Sequence, residues 1–392
     1  MAVNESMILF EEDTLERLDK APDTTDEILD DNTDELSTDN SYNNSLTKYI
    51  FERSDVKAIF IFLYTVVFFC CISGNMTVIF AVTFSRRLRS ITNFFLANLA
   101  IADLCVGIFC IYQTLLNYLM HSWKLGNLLC KVYMFIHSLS YTASILILML
   151  VCIERYLVTV YPVKCKAMLT KRRLTAVVII VWVISALYAV PKFIYFETYV
   201  NKLNDGTVGI ICGSNMKDYQ KHIMDTINCF CLYLLPLTLM SYFYAKTVMH
   251  LWESGNNIDR PGQNGQHISA SCRNAMKARL KVIRMLIFIV VFFALCNLPQ
   301  QIRIIWLNWD SNNDQNSNFS AILTVSTFLI SYINCCLNSL FYALFSRNFR
   351  EGMREIPCCR CTENRRAGRL AIADRPRGEN RNENESNENR VV

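Results

Sequence analysis

The chain has 392 residues, of which 52% are hydrophobic and 19% charged. A soluble domain usually carries roughly a quarter charged residues, so this composition argues against one. The formal net charge of +5 combines two unlike ends. Met1 to Lys48 is acidic, with Glu11, Glu12, Asp13, Asp26, Glu27, Asp30, Asp31, Asp34 and Glu35 against Arg17, Lys20 and Lys48, while the tail after Phe345 is rich in arginine. Such asymmetry points to ends in different compartments. Met1 to Phe10 lacks the basic start, apolar run and small-residue site of a cleaved signal peptide, so the first hydrophobic span is expected to carry the membrane address.

A helix needs about 20 apolar residues to cross the hydrocarbon core. Runs almost free of Asp, Glu, Lys and Arg occur seven times. The first lies between Lys57 and Arg86. The second follows Arg89 as far as His121, broken only by Asp103. The rest lie between Lys131 and Glu154, Arg173 and Lys192, Asp225 and Lys246, Arg284 and Arg303, and Asp314 and Arg347. A soluble bundle could not cover so much apolar surface. The expected fold is an all-α membrane protein, a seven-transmembrane helix bundle.

Basic residues orient it. Arg86, Arg87 and Arg89, then Lys164, Lys166, Lys171, Arg172 and Arg173, then Arg273, Lys277, Arg279, Lys281 and Arg284, and finally Arg347, Arg350 and Arg354 all fall on one side. That side is expected to be cytoplasmic and the amino terminus outside, in a multi-pass plasma-membrane protein. The chain divides into an acidic disordered extracellular segment (1–54), the bundle (55–345), an amphipathic helix on the inner membrane surface (346–357) and a disordered cytoplasmic tail (358–392). No internal repeat is visible, which argues against the inverted-repeat transporters.

Of 17 cysteines, Cys130 and Cys212 fall on the outer side, where an oxidising environment favours a disulfide between them. Cys212 sits in the second extracellular loop, where Thr198-Tyr199-Val200 and Thr207 to Ile211 flank Asn204-Asp205-Gly206. Asp-Gly is a strong turn signal; a β-hairpin over the bundle mouth is expected, with an irregular loop as the alternative. Cys358, Cys359 and Cys361 follow the amphipathic stretch Ser346 to Ile356, which suits palmitoylation better than a metal lacking a nearby fourth ligand. Asn4, Asn43 and Asn318 begin outer-side glycosylation sequons.

An ionisable group within a span is expensive and usually functional. Asp103 stands mid-span, with Asn75, Ser144, Asn334 and Asn338 at similar depth. Oxygen-rich groups around a carboxylate suit either a sodium ion or a hydrogen-bonded polar network. No metal-ligand set or nucleophile–base constellation of an enzyme stands out.

Taken in chain order, these residues resemble the rhodopsin-like G-protein-coupled receptors over roughly Val56 to Ile356. The marks are Gly74-Asn75, Leu99-Ala100-Ile101-Ala102-Asp103, Cys130, Glu154-Arg155-Tyr156, Trp182, Pro236 with Tyr244, Phe293 with Cys296 and Pro299, and Asn338 with Tyr342. The resemblance implies a sodium pocket made by Asp103, Ser144, Asn334 and Asn338, and no other cofactor. It implies that Arg155, between Glu154 and Tyr156, meets a heterotrimeric G protein, with Tyr244 and Tyr342 swinging in behind it. Pro236 and Pro299 remove backbone hydrogen bonds and supply bends. Arrestin and a receptor kinase are implied partners; nucleic acid is not. Two positions depart from the family pattern: Asn297 stands where Trp is usual, and Ser339 where Pro is usual. Phe293, Asn297, Pro299, Asn338 and Pro236 make up the expected activation core. The region Lys277 to Arg284 offers no acid to lock Arg155.

The seventh span has no lysine for a retinal Schiff base, Tyr332 standing in its place, and His137 stands where amine receptors carry an aspartate. The outer half is broad and polar, with Gln113, Asn117, His137, Tyr141, Gln300, Gln301, Arg303, Trp306 and Tyr332 as candidate ligand-binding residues. That suits an extracellular peptide. The runs Ser85 to Leu99 and His137 to Ile145, and Pro191-Lys192-Phe193, resemble the insect trissin receptors, which implies a cysteine-bridged neuropeptide. A basic ligand would be drawn by the Glu11 to Glu35 region. The competing readings are a ligand-binding decoy or scaffold receptor and a channel or transporter; a transporter would call for more charges within the spans.

Overall fold

The structure is a computed structural model that describes residues 49–354, apart from Arg89, His121, 203–207, 260–269, 310–316 and Ser346. The expectations for 1–48, for Asn4 and Asn43, and for Cys358, Cys359 and Cys361 lie outside the described residues. Among those described, seven helical spans are long and apolar enough to cross a membrane. The first is α1 (Ser54–Phe84). The second is made of α2 (Ile91–Phe109) and α3 (Ile111–Leu119), and the third is α4 (Gly126–Val160). The short α5 (Pro162–Met168) leads to the fourth, α6 (Lys171–Tyr195). Strands β1 (Phe196–Lys202) and β2 (Val208–Ser214) follow. The fifth span joins α7 (Asp218–Cys229), a π-helical turn (Phe230–Leu234) and α8 (Leu235–Asp259). The sixth is α9 (Ala270–Trp309), the seventh α10 (Asn318–Phe345), and α11 (Arg347–Arg354) closes the described chain.

In hydrocarbon a backbone amide has no water to bond, and a helix satisfies each one within its own segment. Local chemistry then sets the ends. Ser90 caps α2, its side chain accepting the Asn93 amide at 3.2 Å. Pro162 opens α5 in the first turn, where its missing N–H is not needed. Pro299 lies inside the continuous α9, and Pro236 comes directly after the wide turn of the fifth span. Two irregularities were not legible in the sequence: that π turn, and a break at Cys110 (φ −122°, ψ −37°) that divides the second span.

Large apolar side chains point outward, as lipid permits: Phe62 is 67% exposed and Leu187 66%. The interior holds two apolar clusters. The inner one is built on Leu99, Ile147, Leu148, Ile289 and Phe341, the outer on Tyr64, Ile111, Leu115, Val325 and Tyr332. The residues before α1 belong to the outer cluster. Phe51 is buried, the Ile50 amide donates to Asn318 Oδ1 at 2.9 Å, and Tyr49 Oη donates to the Tyr118 carbonyl at 3.0 Å. Burial raises the Tyr49 hydroxyl above its ordinary pKa. Tyr49, Ile50 and Phe51, expected to be disordered, are therefore packed in the outer cluster. The Asn318 of the third sequon sits at the start of α10 with its side chain already engaged there.

The hairpin forms as an antiparallel pair in register Thr198 to Cys212 and Val200 to Ile210. The Cys130–Cys212 disulfide fixes it to α4. It is also held to the bundle by Trp123 N donating to the Ile210 carbonyl (2.7 Å), Ile210 N to Ser122 Oγ (3.1 Å) and Thr198 N to Asn127 Oδ1 (3.1 Å). On the inner face, Phe349 and Met353 of α11 pack on the inner cluster.

At Gly74 the first and seventh spans approach closely: a Cβ there would run into Ser339 Oγ, which itself donates to the Cys336 carbonyl at 2.9 Å. Gly74→Ala is expected to destabilise the bundle by about 1–3 kcal/mol through overpacking. A second change, Ser339→Gly, should recover most of that loss, read as melting temperatures of the detergent-purified protein.

Candidate functional site

A cavity of about 420 Å³ opens beneath the hairpin and descends between the helices to Asp103. Seven of the expected ligand-binding residues line it: Asn117, His137, Tyr141, Gln300, Gln301, Arg303 and Tyr332. Gln113 and Trp306 do not. Trp306 is 39% exposed and packs edge-on against Phe319, and Gln113 Oε1 is buried away from the cavity lining with no hydrogen-bond partner among the described residues. Helical rotation within the outer turns takes both off the cavity face.

The wall is preorganised by cross-helix contacts. Tyr332 Oη meets Thr114 Oγ1 at 2.6 Å, and its ring packs against His137 and Phe328. Gln301 Nε2 donates to Tyr141 Oη at 3.3 Å, and Tyr141 stacks on Phe293. Asn117 donates to the Cys212 carbonyl at 3.3 Å, tying the hairpin to the second span. At the mouth, burial raises the Tyr199 phenol above its ordinary pKa, so it remains a neutral donor. Sequence reasoning missed Lys192, Lys221, Asp225 and Asn308, which also line the cavity. Lys192 and Asp225 marked the ends of charge-free runs, and their function as cavity residues was hidden by that use.

The floor is polar. Asp103 is 2% exposed, and its Oδ2 accepts Asn338 Nδ2 at 2.8 Å. Ser144 lies within hydrogen-bonding reach of the carboxylate. Asn334 Oδ1 is buried with no hydrogen-bond partner among the described residues. Asn75 Nδ2 bridges to the seventh span at the Cys335 carbonyl, 3.1 Å away.

The inner end is closed. Arg155 is held against its neighbour, with Nε to Glu154 Oε2 at 2.5 Å and Nη2 to Oε1 at 2.7 Å. Its Nη2 also meets Thr92 Oγ1 from the second span. Thr92 is a partner that no sequence motif marked. Tyr156 packs on Phe243 of the fifth span, ring centroids 5.4 Å apart. Tyr244 is buried with its hydroxyl on the Cys152 thiol. Tyr342 Oη is buried with no hydrogen-bond partner among the described residues.

Residues 74–342 match the 7 transmembrane receptor (rhodopsin family) description. The chain belongs to the rhodopsin family of seven-transmembrane receptors. This family consists of receptors rather than enzymes, and the receptor is a multi-pass protein of the plasma membrane. It is 34% identical to the Trissin receptor of Drosophila melanogaster over 80% of this chain and 68% of that protein. It is 30% identical to Galanin receptor 2a of Danio rerio, over 76% of this chain and 77% of that protein. With Neuropeptide FF receptor 2 of Rattus norvegicus the identity is 28%, over 78% and 74%.

Both departures from the family pattern have visible consequences in this receptor. Asn297 is buried on the cavity wall, but its Nδ2 donates to the Phe293 carbonyl of its own helix at 2.8 Å rather than to Asp103. This local bond within its own helix leaves room beside it. The cavity consequently runs from the hairpin to the floor without a bulky side chain across it. Ser339 keeps α10 helical through the position. A permanently charged methanethiosulfonate reagent applied outside is therefore expected to label a Ser144→Cys variant. Adding Asn297→Trp should slow that labelling sharply, as measured by mass spectrometry on intact cells.

Proposed function

We propose that the receptor binds a cysteine-bridged neuropeptide of the trissin type and activates a heterotrimeric G protein. One observation carries the ligand class: a cavity that sets charged and amide side chains among aromatic ones under a disulfide-anchored hairpin, in a chain 34% identical to the Trissin receptor of Drosophila melanogaster. The galanin and neuropeptide FF receptors among its relatives support a peptide over a lipid or amine. Coupling is supported by the inner end, where Arg155 is restrained by Glu154 and Thr92 and stands beside the buried Tyr244. Binding at the top shifts the equilibrium between this closed inner face and an open one by its difference in affinity for the two.

Asp103, Ser144 and Asn334 present hard oxygens that fit a sodium ion, and the buried, unmatched Asn334 Oδ1 is the feature that favours one. Asn338 donates to Asp103, so it orients the carboxylate rather than adding a ligand oxygen. A bound sodium would supply a positive charge beneath the cavity. Raising sodium is expected to weaken agonist binding to the wild type, and Asp103→Asn should abolish that dependence in radioligand competition.

Cells expressing the chain should answer the Drosophila peptide with a calcium or cyclic-AMP signal. Arg155→Ala should remove the signal and keep peptide binding. Thr92→Val should raise basal signalling, because it loosens Arg155 without touching the cavity. A chain that binds peptide with no second-messenger change, in any Gα background, is a decoy receptor and ends the signalling reading.

A further inference from the structure

The charges in the cavity are lopsided. Lys192 from the fourth span, Lys221 from the fifth and Arg303 from the sixth all line it, and at their level the facing carboxylate is Asp225. Asp225 lies near enough to act on both Lys192 and Arg303, but it accepts Asn308 Nδ2 at 3.0 Å. None of the three cations is in an ion pair with a described carboxylate. Asp103, the other acid on the wall, lies at the floor and is bonded to Asn338.

The direct contacts of Arg303 and Lys192 are neutral. Arg303 Nε donates to Gln300 Oε1 (3.4 Å) and Nη1 to Thr324 Oγ1 (3.1 Å), with the guanidinium over the Phe328 ring at 5.6 Å. Lys192 Nζ rests over the Phe196 ring at 5.2 Å. Gln300 Oε1 is fixed in turn by Thr327 Oγ1 at 2.7 Å, so Arg303 is held in place before any ligand arrives. Desolvated cations in excess of the facing carboxylate are unfavourable, and a planar guanidinium suits a carboxylate in two-point contact.

We infer that the cavity takes a carboxylate of the peptide, seated between Lys192 and Arg303 with Lys221 at its rim. This rests on the peptide reading above and adds the charge of the inserted end. The carboxylate is either the peptide's carboxyl terminus or an Asp or Glu side chain.

The test uses full-length receptor on cells, with surface level read from an amino-terminal tag. The probe is the Drosophila peptide in three forms: free carboxyl terminus, amidated terminus, and each Asp or Glu changed in turn to Asn or Gln. A charge-assisted bond lost should lower potency about 10- to 100-fold. Lys192→Gln and Arg303→Gln are expected to do so, while Lys192→Arg retains potency. Loss on amidation identifies the terminal carboxylate, and loss on one acid-to-amide change identifies a side chain; either supports the inference. The peptide-side arms need no receptor variant, so they decide even where a variant fails to reach the surface. A wild-type response that every receptor and peptide change leaves within about threefold overturns this inference alone. Silence of the wild type to all three forms overturns the trissin-type reading, and this inference with it.

Discussion

Hydrocarbon offers no hydrogen-bond partner, so most polar groups buried among the spans are met by the protein itself. Backbone amides satisfy that demand within their own helices. Side chains satisfy it between helices, and those few bonds set how the spans sit against one another. Asn338 to Asp103 joins the seventh span to the second, Asn75 to the Cys335 carbonyl joins the first to the seventh, and Trp182 to Asn98 joins the fourth to the second. Tyr233 to the Ala294 carbonyl joins the fifth to the sixth. Apolar packing fills the space between these points, while lipid accepts the phenylalanines and leucines turned outward.

The two ends of the bundle use that framework differently. Outside, the hairpin and its disulfide hold the helices around a cavity that reaches the buried carboxylate. Inside, the helices close on one another, and a single arginine is restrained by its own neighbour and by a threonine from the second span. With no acid on the sixth helix to hold it, resting closure relies on packing around Ile289, Phe341 and Tyr244. This is a softer lock than an ion pair between helices. The position occupied by Asn297 leaves an open path where a bulky ring would have linked cavity to floor.

Much of the architecture was legible because its cause is one-dimensional. A run of about 20 uncharged apolar residues reads as a span wherever it occurs, and Asn204-Asp205-Gly206 between β-rich runs reads as a hairpin. What escaped was anything set by neighbours. Nothing in Ile108-Phe109-Cys110-Ile111 marks a break, and Phe230 to Leu234 holds no glycine or proline to announce a wide turn. The cavity residues divide in the same way. Polar side chains well inside spans, such as His137 and Gln301, were visible as anomalies, whereas Lys192 and Asp225 looked like ordinary span ends. Gln113 and Trp306 have the right depth and the wrong azimuth, which depth alone cannot reveal.

The wide turn at Phe230–Leu234 has its own consequence. There the Leu235 amide reaches back five residues to the Phe230 carbonyl, so the fifth helix absorbs one residue more than a regular turn would hold. Everything amino-terminal to it, including Lys221, Asp225 and Asn228, is indexed about 100° away from where an unbroken α-helix would put it. The halves of this helix thus keep separate angular settings. Gain or loss of one residue at the joint would re-aim the ligand-facing side chains while Tyr244 and the cytoplasmic end kept theirs, giving receptors of this architecture a route to new ligand preference that leaves the signalling face untouched.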